Sequence, residues 1–444
     1  MGSGDCMSKI VEVKEFDTII CNTDYKDDDN YIYIEKKNFE SLSNFINEFV
    51  EFEDNSDPLM VMKVGYRRNV GNTISFKNYV GLIQLKNGFQ IEVLPKISLG
   101  NSEGYSSKHT KEIFLKMLMS MKDFPSKIFN DAHLKIDKMN LYEIFINMYL
   151  QEVQKLLKQG IISSYTTKDD NLNCYKGKLL VGEHIKNNIV HRERFYVSYD
   201  EFHPDIPENK IVKATLEKLQ KITTSAENSK KIKQLLIYFE LVKPSINYEK
   251  DFSKININRN TKKYELLIQW SKVFLMNKSF TTFAGTTSSR ALMFPMEAVY
   301  ESYVSKKMKK IFEHNGWEVS CQDKGYYLFE EPRRQFALRP DIVIRKNHRT
   351  IILDAKWKRL CNNEYKNYGI SQSDMYQMYA YSKKYNTPEI WLLYPVTEDL
   401  SQHDHIAFDS GDNTCVNLYF VDLENIEESL KELKELIEED EINE

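Results

Sequence analysis

The chain contains no GxxxxGK[ST] phosphate loop and no GxGxxG run behind a candidate strand, so it lacks the backbone cradle of a nucleotide-driven motor. Its six cysteines (Cys6, Cys21, Cys174, Cys321, Cys361, Cys415) never form a CxxC pair. That spacing excludes a zinc ribbon and suits reduced thiols. No apolar stretch approaches the ~18–20 residues that cross a bilayer, and the first residues do not have the pattern of a secretory signal. The expectation is a cytoplasmic protein with no membrane partner. Positive charge is also short: 61 Lys and Arg against 65 Asp and Glu leave a net charge of −4. Such a surface has no global attraction for nucleic acid, so a DNA contact must be a local basic patch or the task of a partner.

The 444 residues, 41% hydrophobic and 28% charged, can bury sizeable cores and predict a soluble globular chain of two to four domains. Residues 1–105 read as a strand-rich amino-terminal domain, 106–285 as a largely helical middle region, and 286–444 as a carboxy-terminal α/β domain. In the first stretch, Phe39, Leu42, Phe45, Ile46, Phe49 and Val50 recur at helical spacing. Asn87-Gly88, between two apolar runs, predicts a hairpin. The acidic run Asp24–Asn30 fails as a calcium loop, because Lys26 takes the third position and Asp29 the sixth, where the sharp turn needs glycine. Tyr66–Val70, bracketed by Gly65 and Gly71, reads as an exposed turn. Alternatively, it is a projecting loop whose Arg67 and Arg68 dock on acidic or phosphate surfaces.

Helical stripes fill the middle region, among them Leu141, Ile144, Phe145, Met148, Tyr149, Val153 and Leu156, ended by Gly160 as a C-cap. Lys186, His191, Arg192 and Arg194 cluster around Phe195 and Tyr196. That mixture suits phosphate contact with stacking, or a charged protein interface.

The carboxy-terminal stretch carries the chemistry. Arg339-Pro-Asp-Ile-Val-Ile-Arg and Ile351-Ile-Leu-Asp-Ala-Lys-Trp are apolar strands separated by a charged turn, Lys346–Arg349. A hairpin centred between Asn347 and His348 sets Asp341 opposite Asp354, and Lys356, two residues on, shares that face. Directly paired residues have Cβ atoms about 4.5–5.5 Å apart, where like charges repel. Two carboxylates so placed call for a cation between them. A helix predicted over Leu292–Asn315 puts Glu301 on an apolar stripe, where a carboxylate must be paired or bind metal; Glu297 is a second candidate. After the hairpin, a helix from Ser373, with Ser371 or Ser373 as N-cap, places Gln377 and Tyr381 on one face. Glu389–Tyr394 reads as a buried strand and Val416–Phe420 as an edge strand. The order predicts an α/β sandwich around a mixed sheet flanked by helices.

Pro340-Asp341…Asp354-Ala-Lys356 is a PD-(D/E)xK pattern, and Gln377-Met-Tyr-Ala-Tyr381 matches the QxxxY element of RecB-like nucleases. Helix acid, meander, helix and strand thus resemble the restriction-endonuclease-like core over residues 286–444. More narrowly, the chain resembles the McrC family, nuclease subunits of McrBC modification-dependent restriction systems. Tyr175-Lys-Gly-Lys178, Glu208–Leu219, Val80–Leu85 with Ile91–Lys96, Phe294–Glu301 and Asp374–Gln377 carry the resemblance, which runs from about residue 60 to the end. Tyr300 departs from the Phe of many relatives.

The resemblance implies an endonuclease acting with a hexameric AAA+ GTPase, McrB, which binds GTP and reads modified cytosine in double-stranded DNA. Asp341, Asp354, the Ala355 carbonyl and Glu301 would hold Mg²⁺, with Mn²⁺ as a substitute. Asp341, Asp354, Lys356 and Glu301 would be catalytic, and Gln377 and Tyr381 would position the substrate. Arg67 and Arg68 would contact the ring. Two alternatives stand beside this: a RecB-like nuclease acting alone on DNA ends or junctions, and an assembly subunit that activates the GTPase but carries a vestigial site.

Overall fold

In the computed structural model, residues 10–52, 62–97, 107–121, 140–276, 290–401 and 404–443 are described. The chain gathers into two units, Met1–Lys127 with Ser279–Glu444, and Ile128–Lys278. The amino- and carboxy-terminal stretches thus contribute to one unit, and the second lies within the middle region.

The seam between them is a strand. Arg290–Pro295 pairs antiparallel with Tyr79–Gln84, Leu292 opposite Leu82, and completes a sheet with Gln90–Leu94 and Ile10–Lys14. Gly81 permits the approach: at φ +148° its hypothetical Cβ would lie 1.9 Å from the Leu292 carbonyl oxygen. The single helix predicted over Leu292–Asn315 is thus a strand followed by a helix, Met296–Glu313, with Pro295 at its N-cap. Proline fixes φ and offers no N–H, so it suits this start. A second sheet joins Ile32–Tyr33, Thr18–Ile20, Gly71–Phe76 and Met62–Arg67. The expected helix, Lys36–Phe52, buries Phe39, Leu42, Phe45 and Ile46 in a core with Val13, Ile19, Ile74, Ile83 and Ile91.

The other unit has the expected helices, including Leu141–Gln159, whose C-cap Gly160 takes φ +79°. It also has a ribbon that the reading of this region as largely helical missed: Ser164–Leu172 pairs antiparallel with Phe195–His203 along nine positions. Ser-Tyr-Thr-Thr-Lys-Asp-Asp-Asn-Leu is polar on both faces, so the alternation that marks a half-buried strand is absent.

The carboxy-terminal sheet has the strand order Glu318–Cys321, Ile342–Lys346, Arg349–Ala355, Glu389–Pro395, Cys415–Val421, Ile406–Asp409. The first three run antiparallel, the next two lie parallel to Arg349–Ala355, and the last is antiparallel. Cys415–Val421 is therefore interior, not the expected edge; the short, partly polar Ile406–Asp409 takes the edge instead. Helix Gln372–Tyr385 packs Met378, Tyr381 and Tyr385 on one sheet face, against Val343, Ile352, Ile390 and Leu392. Met296–Glu313 and Ile426–Asn443 also bury apolar stripes, with Val304, Met308, Phe312, Leu430 and Leu433 fully covered. Burying such aliphatic and aromatic side chains is worth roughly 1.5–3 kcal/mol each, which secures the scaffold holding the polar site. Among the described residues no helix is long and apolar enough to cross a membrane.

Candidate active site

Simple register arithmetic builds the site. The central hairpin pairs Lys346 with Arg349 through to Ile342 with Leu353, and Asn347 in the turn adopts a left-handed φ of 55°. One step beyond Ile342 and Leu353 stand Asp341 and Asp354. Asp341 Oδ2 accepts the Ala355 N–H at 2.9 Å, and the Asp341 carbonyl accepts the Gln322 N–H at 2.8 Å. Asp354 is buried, and its Oδ2 lies 2.6 Å from Lys356 Nζ in an ion pair without well-directed hydrogen-bond geometry. Glu301 comes from the Met296–Glu313 helix. It accepts a hydrogen bond from Gln322 Nε2 and shares another with Asp341.

Helix Gln372–Tyr385 closes the other side. Ser371 is its N-cap, and its side chain accepts from the Asp374 N–H. Lys356 Nζ donates to Gln377 Oε1 at 3.1 Å, and Gln377 Nε2 donates to the Tyr381 hydroxyl at 2.8 Å. The Tyr381 hydroxyl also meets the Arg339 backbone. Tyr381 is only 2% exposed. The pair expected to touch substrate thus forms a chain of contacts that ends on Lys356.

Electrostatics sharpen the picture. Burial, then the charges of Asp354 and Glu301, push the Asp341 carboxyl up to about 9. Burial raises Asp354 as well, against the opposing pull of Lys356, and burial and the nearby Asp354 raise Glu301. Burial works against the Lys356 charge, but the Asp354 carboxylate prevails and holds its pKa above the usual lysine value. Three acids so close cannot all ionise without a compensating cation. Among the described residues, no three His, Cys, Asp or Glu side chains form a ready-made cage for an ion. Mg²⁺ does not require one: it binds through one or two carboxylates and keeps several waters. An all-oxygen donor set in which burial holds the crowded carboxyls of Asp341, Asp354 and Glu301 above their usual range fits that ion.

Other expected residues sit apart. Glu297 accepts a 2.8 Å hydrogen bond from Asn78 Nδ2 and so is held at the amino-terminal sheet. Arg67 and Arg68 lie at the exposed turn joining Met62–Arg67 to Gly71–Phe76. Arg67 donates to the Tyr31 hydroxyl at 3.1 Å and lies over that ring, 5.4 Å from its centroid. In the other unit, Tyr175 and His184 contact the Phe195 ring, and Lys176 lies 4.0 Å from the Tyr199 ring centroid.

Two features escaped the sequence reading. Lys358 bonds Asp374 at 2.5 Å and Ser371 at 3.2 Å, fastening the start of the Gln377 helix beside the site. The alternation Asp354-x-Lys356-x-Lys358 was a usable signal. Glu15 accepts the Trp357 indole N–H, a contact spanning 342 residues that nothing local announces.

Residues 74–395 match a family model described as McrBC 5-methylcytosine restriction system component. Among solved structures, a chain in the refined half-complex from the tetradecameric assembly of Thermococcus gammatolerans McrB AAA+ hexamers with bound McrC shares the fold. The TM-score is 0.67 at 20% identity, over 96% of this chain and all of that one. A chain in the cryo-EM structure of the Thermococcus gammatolerans McrBC complex aligns at TM-score 0.47 and 19% identity, over 72% of this chain and 90% of that one. No curated protein matches by sequence.

Proposed function

Because the chain belongs to the McrBC family of 5-methylcytosine restriction system components, we propose that it is the metal-dependent endonuclease subunit of such a system. It cleaves DNA phosphodiesters and stimulates the GTPase of an AAA+ ring partner. The single observation behind this is the convergence of Asp341, Asp354, Glu301 and Lys356 on one point, from two strands and a helix. The partner is inferred from the family and from the McrB hexamers that accompany the solved relative. It would supply GTP binding and recognition of modified cytosine, which agrees with the missing phosphate loop and net charge of −4.

Asp341, Asp354 and the Ala355 carbonyl would hold Mg²⁺, with Mn²⁺ as a substitute, and Glu301 would complete the set. The ion would lower the pKa of a bound water and offset negative charge on the phosphate. Lys356, kept protonated by Asp354, places a positive charge where a phosphorane would gather negative charge. Gln377 and Tyr381 fix the ammonium's direction through their successive contacts. Glu301, joined to Gln322 and Asp341, holds the acid cluster in register.

The test is a cleavage assay on methylated and unmethylated duplex, with Mg²⁺, in the presence and absence of the cognate ring and GTP. Cutting confined to methylated DNA with ring and GTP is expected. Cutting with Mg²⁺ alone would point to a stand-alone nuclease, and no cutting under any condition to an assembly subunit.

A further inference from the structure

Between Gln322 and Asp341 the chain leaves the main sheet and forms a separate two-stranded ribbon, Tyr327 opposite Ala337 and Phe329 opposite Gln335. We propose that this ribbon is a DNA-gripping arm: Arg333 and Arg334 at its tip hold the phosphate backbone, while Phe329 and Phe336 press on the sugars and bases beside it. The proposal rests on the nuclease reading above and names how that site would grip its substrate.

Both roots of the ribbon are parts of the site. On one side Gln322 bonds Glu301 by its side chain and Asp341 by its N–H; on the other, Arg339-Pro340 runs straight into Asp341. The base is pinned rather than loose. The Leu338 N–H donates to the Tyr326 carbonyl at 2.9 Å, and the Tyr326 ring lies 4.2 Å from that of Tyr385, on the helix that carries Gln377. Tyr385 in turn donates to Asp323 at 3.1 Å. A molecule held by the tip is therefore held at a fixed offset from the acid cluster.

The tip has the chemistry for a polyanion. From Lys324 to Arg339 the segment carries Lys324, Arg333, Arg334 and Arg339 against Glu330 and Glu331, a surplus of positive charge in a chain that is acidic overall. All four cations are exposed. Arg334 reaches Glu330 at 3.2 Å, but an exposed pair of this kind is worth little and exchanges readily for phosphate. Among the described residues Arg333 makes no ion pair. Phe329 and Phe336 meet edge to face at 6.0 Å and are 55% and 67% exposed, costly for two phenyl rings unless something covers them. Phe336 moreover holds a left-handed φ of 56°, a conformation bulky residues avoid, with its ring turned outward. Arginines bind phosphate bidentately and flat rings lie on bases and sugars, so DNA fits this mixture better than an acidic protein does.

The experiment measures binding of the full chain to a short blunt-ended duplex, with divalent metal withheld, across about 50–200 mM salt. Each phosphate contact contributes about 0.9 to the slope of log affinity against log salt. Arg333→Ala with Arg334→Ala should therefore reduce that slope by about 1.8 and weaken binding about tenfold at the lowest salt. The Arg333→Lys, Arg334→Lys chain should keep the slope, which shows that charge rather than folding is at stake. An unchanged slope in the double alanine variant, or no measurable binding by the unaltered chain, overturns the arm. The two readings separate cleanly. Cleavage lost with Asp354→Ala, alongside an unchanged salt slope, overturns the arm alone. A reduced slope alongside cleavage that survives Asp354→Ala keeps the arm and overturns the nuclease site.

Discussion

The indole Nε1–H of Trp357 reaches both carboxylate oxygens of Glu15, at 3.2 and 3.1 Å, and so ties the amino-terminal sheets to the residue after Lys356. The Lys96 N–H donates to the same carboxylate at 3.1 Å, and Tyr300 packs on the indole. Burial raises the Glu15 carboxyl from 4.5 to about 8, more than these hydrogen bonds lower it.

Below pH 4.5 both folded and unfolded chains carry the Glu15 proton, and its contribution to stability is complete; as pH rises through about 8 the contribution is lost. Glu15→Gln keeps an acceptor for the indole but cannot titrate. Its melting temperature should fall less between pH 5 and pH 8.5 than that of the unaltered chain, by roughly 2 °C or more. Parallel melting curves across that range would show that Glu15 does not titrate as described.

Gln377 and Tyr381 should matter through Lys356. Removing an outer hydrogen-bond partner of an active-site group commonly costs about 10–100-fold. Gln377→Ala should lower the cleavage rate within that range while substrate KM stays nearly constant. Tyr381→Phe, which removes only the hydroxyl, should cost less. A rise in KM with an unchanged rate would instead place the pair on the substrate.

The exposed turn bearing Arg67 and Arg68 is the expected contact with the ring. Replacing both with alanine should lower stimulated GTP hydrolysis severalfold and leave the chain's melting temperature within about 1 °C, since exposed substitutions rarely change stability by more than ~0.5 kcal/mol. Full stimulation by the double variant would move the contact elsewhere.

What could be read in advance followed locality. Asp341 and Asp354 were legible because a two-residue turn fixes a hairpin's register, and register alone brings them together. Gln377 and Tyr381 were legible as a helical pair, but their service to Lys356 was not, since that depends on how a helix packs on a sheet. Glu301 was legible as a carboxylate misplaced on a stripe, although the stripe's first turn proved to be strand. The Arg290–Pro295 strand was hidden because its partner, Tyr79–Gln84, lies some two hundred residues away and the close approach depends on the bare α-carbon of Gly81. Nothing in the residues around Glu15 signals its role, because only tertiary structure buries it against Trp357.

If this chain cuts DNA with Asp341, Asp354 and Lys356, Asp354→Ala in the complete complex separates cutting from the chain's other roles. Cleavage of methylated duplex and GTP hydrolysis should be measured on the same sample. Cleavage should fall by at least about a hundredfold, the scale expected when a group stabilising a transition state is lost, while GTPase stimulation stays at the level of the unaltered chain. Undiminished cleavage by a folded Asp354→Ala chain would mean that this acid cluster does not cut DNA.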